Sequence, residues 1–558
     1  MANKDFTIRI ESILGGISEY RNFAAKDEFM ESLGIDPDLP EAVFVADASA
    51  LGKNFKPSGY IRPVSLSQVN STTVSAPMWM ETTPKDQLLY VYDADGSVYT
   101  VDFPNSTFTG LTDLNDGGTA SGNGLRYYDN YIYAARDTTI ARYGPLDGTA
   151  VWTDDYWATT LSLTALVNTT YPTLVVGTVR LPNHILHRHN DGKLYITDVV
   201  GNQGFLHYIA TTKTTVEGDT NDGSTYQKLD FPFGYWPTAI ESYGTDLVIA
   251  LYEGSNVAGY IQKPAKIAFW DTVAENYYKI IDIPDPLITA MKFDQVEGVL
   301  YIFSGQPGSF GTRISKFIGG YSFQQVKLID DSEPPFPGAI DGILNKIFFG
   351  GTVRSVITTP SSTRNSIPCT WSLGSILSGL KKPLHNVAST IQGDIGEITS
   401  LKLVKQQGIS YLRPLVGYYT GLNSGFIDSE DDSDTEILNA VNFDSVWRSQ
   451  KYVIGQPFKL KKITFSVTSP PNDNTVISPN LYLDGADSDA DIITFNDIDS
   501  AYNPNVTTQG KNKRIVLRSP NPILGYHDFF LELVFSGATT VVQSVKLPII
   551  ILGEYIDD

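Results

Sequence analysis

The chain has 558 residues, too many for one ordinary hydrophobic core, so a large closed architecture or two to four domains is expected. Its charged fraction is only 18% against 42% hydrophobic, and 47 Gly, 31 Pro, 31 Tyr and 27 Phe favour strands and tight turns over long helices. A net charge of -21 repels a polyphosphate backbone, which argues against direct nucleic-acid binding, and the single cysteine, Cys369, excludes an internal disulfide and a cysteine-based zinc site.

The N-terminal segment carries no apolar h-region, and no run of about 18 apolar residues follows anywhere, so neither export by the usual signal nor membrane insertion is expected. Residues Glu19 to Gly34 place Phe23, Phe29, Met30 and Leu33 among Lys, Asp and Glu, which predicts one short amphipathic helix ended by glycine. A tract with Pro37, Pro40, Pro57, Gly59 and Pro63 then leads out of this arm.

A recurrent short strand, introduced by a turn signal, follows at blade-like intervals of roughly 40 to 65 residues. Its seven copies are Lys85–Tyr92, Asp129–Ala134, Asn190–Ile196, Gly244–Ala250, Glu297–Phe303, Leu344–Gly350 and Gln407–Leu412. Most precede a second, more alternating strand: Ser97–Val101, Thr139–Tyr143, Phe205–Ile209, Lys266–Asp271 and Arg313–Phe317. An inner strand apolar on both faces followed by an alternating one is the grammar of a propeller blade, with stacked sandwiches as the competing layout.

The acidic run Asp428–Asp434 marks a boundary. Beyond it, Trp447–Ile454, Phe458–Phe465, Asn480–Asp484, Arg514–Leu517 and Phe529–Phe535 read as strands between Pro, Gly and Asn clusters, which predicts a compact β-sandwich.

Few constellations point to chemistry. His184, His187 and His189 are bunched, but in a strand only His187 and His189 share a face, so an exposed turn or blade-edge cluster is expected instead of a metal site. Asp487-Ser488-Asp489-Ala490-Asp491 imitates the opening of a calcium loop, yet Ile492 and Ile498 stand where the sharp-turn glycine and the bidentate glutamate belong. The Gly-rich stretch Asn115–Gly124 lacks the ending of a phosphate loop, and neither a nucleophile elbow nor a zincin motif occurs. Tyr127, Tyr128, Trp152, Trp157, Tyr235, Trp236 and Trp270 offer surfaces for sugar stacking, though as strand residues they are expected mostly as packing between blades. No cofactor, metal or catalytic residue is assigned.

Two short motifs carry a resemblance. Ile13-Leu14-Gly15-Gly16-Ile17-Ser18, then Ser58-Gly59-Tyr60-Ile61-Arg62-Pro63, then propeller strands, resembles the opening of tail tubular or nozzle-type structural proteins of tailed bacteriophages. Val446–Ile463, with Trp447 and Arg448, is similar to a segment near the end of phage minor tail proteins. The asparagine-containing stretch usual between the two N-terminal elements is not recognisable, and the chain is shorter than typical nozzle proteins. The resemblance implies a virion component made in the host cytoplasm, and makes Gly15, Gly16, Ile17, Ser18, Arg62, Pro63, Trp447 and Arg448 candidate assembly residues.

The expected architecture is therefore all-β: an N-terminal docking arm with a short helix at 1–64, a β-propeller of about seven blades at 65–428 and a C-terminal β-sandwich at 429–558. The expected function is a non-enzymatic tail component in the nozzle, adaptor or tail-tip region. It would assemble as a homo-oligomeric ring against neighbouring tail proteins and support host attachment or genome delivery. Two other readings stay open: a host-surface adhesin that binds a receptor or glycan, and a glycan hydrolase or lyase on a propeller scaffold, for which carboxylates converging in the central channel would speak.

Overall fold

A computed structural model of the chain describes residues 5–11, 16–17, 28–33, 60–61, 67–70, 74, 77–83, 88–94, 96–101, 112–114, 124–136, 140–154, 156, 175–176, 179–180, 184–200, 203–209, 216–217, 229–253, 263–306, 311–329, 332–343, 346–354, 366–374, 384–389, 397–405, 412–419, 424–428, 445–468, 476–484, 493–494, 512–517, 523–536 and 544–556. Its regular elements are all β-strands. The chain packs as two compact units. Unit 1 gathers Met1–Gln68, Arg354–Asp394 and Ile427–Asp558, and unit 2 gathers Val69–Val353 and Ile395–Phe426.

Unit 2 is a β-propeller, built from a series of antiparallel meanders. The fourth, for example, runs Tyr235–Tyr243, Asp246–Glu253, Ala265–Trp270, Lys279–Ile283, each strand bonded to the next. The fifth runs Leu287–Asp294, Val299–Gly305, Thr312–Gly319, Ser322–Ile329 in the same order. The first strands of the successive sheets are Pro77–Thr82, Gly124–Tyr128, Leu186–Arg188, Tyr235–Tyr243, Leu287–Asp294, Ile340–Ile343 and Glu397–Lys405. Neighbouring sheets pack on one another in chain order, and Glu397–Lys405 packs beside Pro77–Thr82, so the series closes on itself. A closed series of this kind leaves only short, protected sheet edges around its axis.

In their described residues six of the recurrent strands of the sequence form the second strand of their sheet and not the innermost, whereas Gln407–Leu412 lies outside the described residues except for Leu412, which opens the second strand Leu412–Tyr419. Leu89–Asp93 is buried at every position, and Asp246–Glu253 and Val299–Gly305 at all but the first. Burial on both faces is what erases alternation from these strands. One core between the fourth and fifth sheets joins Val248, Ala250 and Phe269 to Ile288, Leu300 and Phe317. Four first strands share an irregularity: the register skips one residue at Met78, Thr238, Thr289 and Thr399. Such bulges bend a strand and re-aim the side chains that follow.

Among the described residues unit 1 contains two six-stranded sheets besides the short parallel pair Gly16–Ile17 and Glu28–Phe29. In one, Asp5–Ile10 pairs along its whole length with Ser544–Tyr555, which pairs in turn with Phe458–Thr468. In the other, Glu31–Leu33 pairs with Ser445–Arg448, and that strand with Asp528–Ser536. A single apolar core unites them, from Ile10 and Phe29 to Trp447, Phe458, Phe529, Leu531, Ile549 and Ile551. Residues expected as a docking arm thus supply strands to the same sheets as the C-terminal segment. The helix expected over Glu19 to Gly34 is not what forms at its described end: Glu28–Phe29 and Glu31–Leu33 are strands. Their partners, Gly16–Ile17 and Ser445–Arg448, are non-local and override the local helical periodicity.

Candidate functional site: a charged channel in the propeller

The four skipped residues locate equivalent positions on the first strands. Three residues beyond each lie Glu81, Glu241, Lys292 and Lys402, and all four line one cavity of about 340 Å³ together with Arg126, His187 and Asp341. Each of the seven comes from a different first strand. In chain order the channel reads Glu81, Arg126, His187, Glu241, Lys292, Asp341, Lys402. Anion and cation alternate except at the imidazole. An odd ring cannot alternate in charge throughout, and a neutral member removes the clash.

The three cations are shared unequally among the three carboxylates. Glu81 receives two: Arg126 Nη1 lies 2.8 Å from Oε2 and Lys402 Nζ lies 2.8 Å from Oε1. The second contact joins the last first strand to the first one. Asp341 receives one cation, Lys292, at 3.1 Å, and accepts backbone N–H bonds from Gly342 and Leu403 at 2.9 and 3.1 Å. Glu241 receives none within ion-pair distance among the described residues, and its Oε1 accepts only the Ser242 N–H at 3.2 Å.

Protonation follows that division. Burial pushes the Glu81 carboxyl up, but Lys402 and Arg126 more than offset it and hold it below the usual range. For Asp341 burial is likewise outweighed, by Lys292, Lys402 and the two backbone donors, and its pKa falls to about 2. Glu241 goes the other way, because burial outweighs the attraction of the more distant Lys292 and Arg126. Burial first, then Arg126, His189 and Lys292, drive the His187 pKa well below its ordinary value, so this ring member is neutral.

The three bunched histidines are buried, not exposed as expected, with relative exposures of 0%, 8% and 3% for His184, His187 and His189. Polar partners from neighbouring strands make that burial tolerable. His187 and His189 do share a face: Ser242 Oγ lies 2.8 Å from His187 Nε2 and 2.9 Å from His189 Nδ1. His184 points elsewhere, to the Thr197 carbonyl at 3.0 Å. His189 Nε2 faces the Thr245 carbonyl at 3.1 Å, which can only accept, so this nitrogen carries a hydrogen. The Ser242 hydroxyl thus bridges the two rings, and a neutral His187 keeps one ring nitrogen as an acceptor.

Above the ionic ring the channel turns apolar. Trp79, Ile185, Ala239 and Ala290 sit two residues before Glu81, His187, Glu241 and Lys292, hence on the same strand face, and line the same cavity. Trp79 crosses toward Gly338, where an added Cβ would lie 2.9 Å from the indole and 2.5 Å from the Met78 carbonyl oxygen, so only glycine fits. Arg126 lies over the same indole, 5.2 Å from the ring centroid. Among the described residues no group of three or more His, Cys, Asp or Glu is placed to hold a metal ion.

The candidate assembly residues fall elsewhere. Gly15, Ser18, Arg62 and Pro63 lie outside the described residues, as do Trp157 and the acidic loop Asp487–Asp491. Gly16–Ile17 pairs in parallel with Glu28–Phe29, and the Phe29 ring lies 6.1 Å from that of Trp447. Trp447 is 1% exposed and belongs to the apolar core of unit 1. Arg448 bonds Glu532 at 2.7 Å, and Glu532 also accepts from Asn480 at 2.9 Å, which neutralises a carboxylate that is itself buried. Of the described candidate sugar-stacking aromatics, Tyr128, Trp236 and Trp270 are buried, and Tyr127, Trp152 and Tyr235 pack against the cores.

No known protein family matches the chain, and no curated protein sequence does. Solved structures with a similar fold include the β-propeller domain of Cps50 (Swd1) from Myceliophteria thermophila, 12% identical over 65% of this chain and 99% of that one, with a TM-score of 0.40. The computationally designed protein Ika8 is 12% identical over 66% and 98% of the two chains, TM-score 0.36. The N-terminal domain of Nup159 is 9% identical over 65% and 94%, TM-score 0.36. The propeller assignment rests on strand order and closure, not on these likenesses.

Proposed function

We propose that this chain is a structural subunit of a bacteriophage tail, a seven-bladed propeller carried on a β-sandwich, which assembles as a ring with copies of itself and with neighbouring tail proteins. The observation that carries this reading is the convergence of its two resemblance motifs. Gly16–Ile17 pairs with Glu28–Phe29, Phe29 packs on Trp447, and Glu31–Leu33 pairs with Ser445–Arg448. Segments more than 400 residues apart in sequence thus form one folded module, as expected of a shared attachment unit and not of two unrelated sequence accidents.

The channel supports a scaffold over an enzyme. Two of its three carboxylates are consumed by ion pairs that tie blades together, Glu81 across the closure and Asp341 between neighbours. A glycoside hydrolase of the usual two-carboxylate kind would need both carboxylates unpaired. Negative-stain microscopy and mass photometry of the full-length chain test the reading: closed rings are expected, and antibody labelling should place the protein on the tails of intact particles. A chain that stays monomeric at all concentrations, is absent from particles and cleaves purified host glycan would overturn it.

A further inference from the structure

Three cations divide over three channel carboxylates as two, one and none, and the carboxylate left without one is Glu241. With Glu241 ionised the ring's three carboxylates balance Arg126, Lys292 and Lys402, and the exposed Arg188 is the one further cation among the described lining residues. Beside Glu241 along the ring stands His187, a neutral imidazole that lines the same cavity and adds no charge. A carboxylate and one imidazole are too few ligands for a transition metal, but an unpaired carboxylate accepts the hydrogens of a nitrogen cation. The adjoining wall of Trp79, Ile185, Ala239 and Ala290 is apolar and suits an alkyl stem. The cavity of about 340 Å³ exceeds the space of a few waters, each of which takes roughly 30 Å³.

We infer that the channel is a binding site for an alkylammonium or alkylguanidinium group, with the charged head against Glu241 and His187 and the stem along Ala239, Ala290 and Trp79. The group belongs either to a free amine or to a Lys or Arg side chain that a partner inserts into the channel mouth. This site goes beyond the assembly reading and does not depend on it.

Calorimetric titration of the full-length chain with n-butylguanidinium, against its uncharged isostere n-butylurea, tests the assignment. Binding of the cation is expected, with at least tenfold weaker binding of the urea. Glu241→Gln should weaken the cation at least tenfold, and Ala239→Leu, which fills the apolar layer without touching charge, should weaken it as well. The cation favours ionised Glu241, so at mildly acidic pH binding should release protons, seen as a heat that changes with the buffer's ionisation enthalpy. That readout needs no variant and holds if Glu241→Gln fails to fold. A short peptide with a central arginine, titrated in parallel, separates the sources: tighter binding than butylguanidinium points to a partner's side chain, weaker binding to a free amine. Equal binding of the urea, undiminished binding by folded Glu241→Gln, or no proton release would overturn the site.

Discussion

The two units enclose opposite interiors. Unit 1 gathers sixteen buried apolar residues into one core, whereas the innermost layer of unit 2 carries alternating charge with one imidazole. The difference follows from geometry. Two facing sheets meet along broad surfaces and can exclude water, so apolar side chains fill the gap. First strands that close around an axis leave a narrow space that two or three large side chains cannot fill evenly, and paired ions bridge it while holding neighbours in register. Unit 2 places its apolar packing between sheets, as in the core shared by the fourth and fifth.

Truncating the apolar interior should have the largest effect. Phe529→Ala removes a fully buried ring from the core of unit 1 and is expected to cost about 3–5 kcal/mol in urea unfolding of the full chain. Trp447→Phe keeps a ring there and removes an indole N–H that has no hydrogen-bond partner among the described residues, so it should cost far less, which separates volume from polarity.

The ionic interior should respond to which charge is removed. Glu81→Ala strands Arg126 and Lys402 in the channel and is expected to cost about 3 kcal/mol. Glu241→Gln removes a carboxylate with no cation beside it and should change stability by less than about 1 kcal/mol at neutral pH, in the stabilising direction. Equal losses from the two would mean that the unequal sharing of cations is immaterial.

Acid titration gives the most specific effects, and the two carboxylates should differ in sign. Asp341, with its pKa depressed to about 2, contributes stability that is complete above the unfolded-state value near 3.8 and disappears as pH falls through 2, about 2 kcal/mol in all. Glu241, raised, stabilises the folded state fully below its unfolded value near 4.5, and that contribution is lost as pH rises through its folded pKa. Asp341→Asn should flatten the acid limb of the stability profile and Glu241→Gln the limb above it. A profile unchanged in both variants would break the proposed division of the ring.

Legibility divides along the same lines as the interiors. Second strands such as Leu89–Asp93 and Val299–Gly305 are buried on both faces, and that leaves a local apolar run in the sequence that anyone can read. First strands offered no such run. Each contributes one polar side chain to the ring, a charge in every case but His187, and Glu81, Arg126, Glu241 and Lys402 look singly like solvated surface residues. The signal that could have found them is a charge of alternating sign a few residues before each recurrent strand, interrupted only by His187. The buried histidines were misread for the same reason, since Ser242 and Thr245 lie far along the chain.

By itself, then, the sequence determined that the protein is β throughout its recurrent region and where its apolar strands fall, because burial on both faces is written into neighbouring residues. Tertiary structure alone decided that Asp5–Ile10 completes a sheet with Ser544–Tyr555, that Glu28–Phe29 is strand and not helix, and that Glu81 meets Lys402 across 321 residues. Those outcomes depend on partners brought together only when the chain closes, and no local window of sequence contains them.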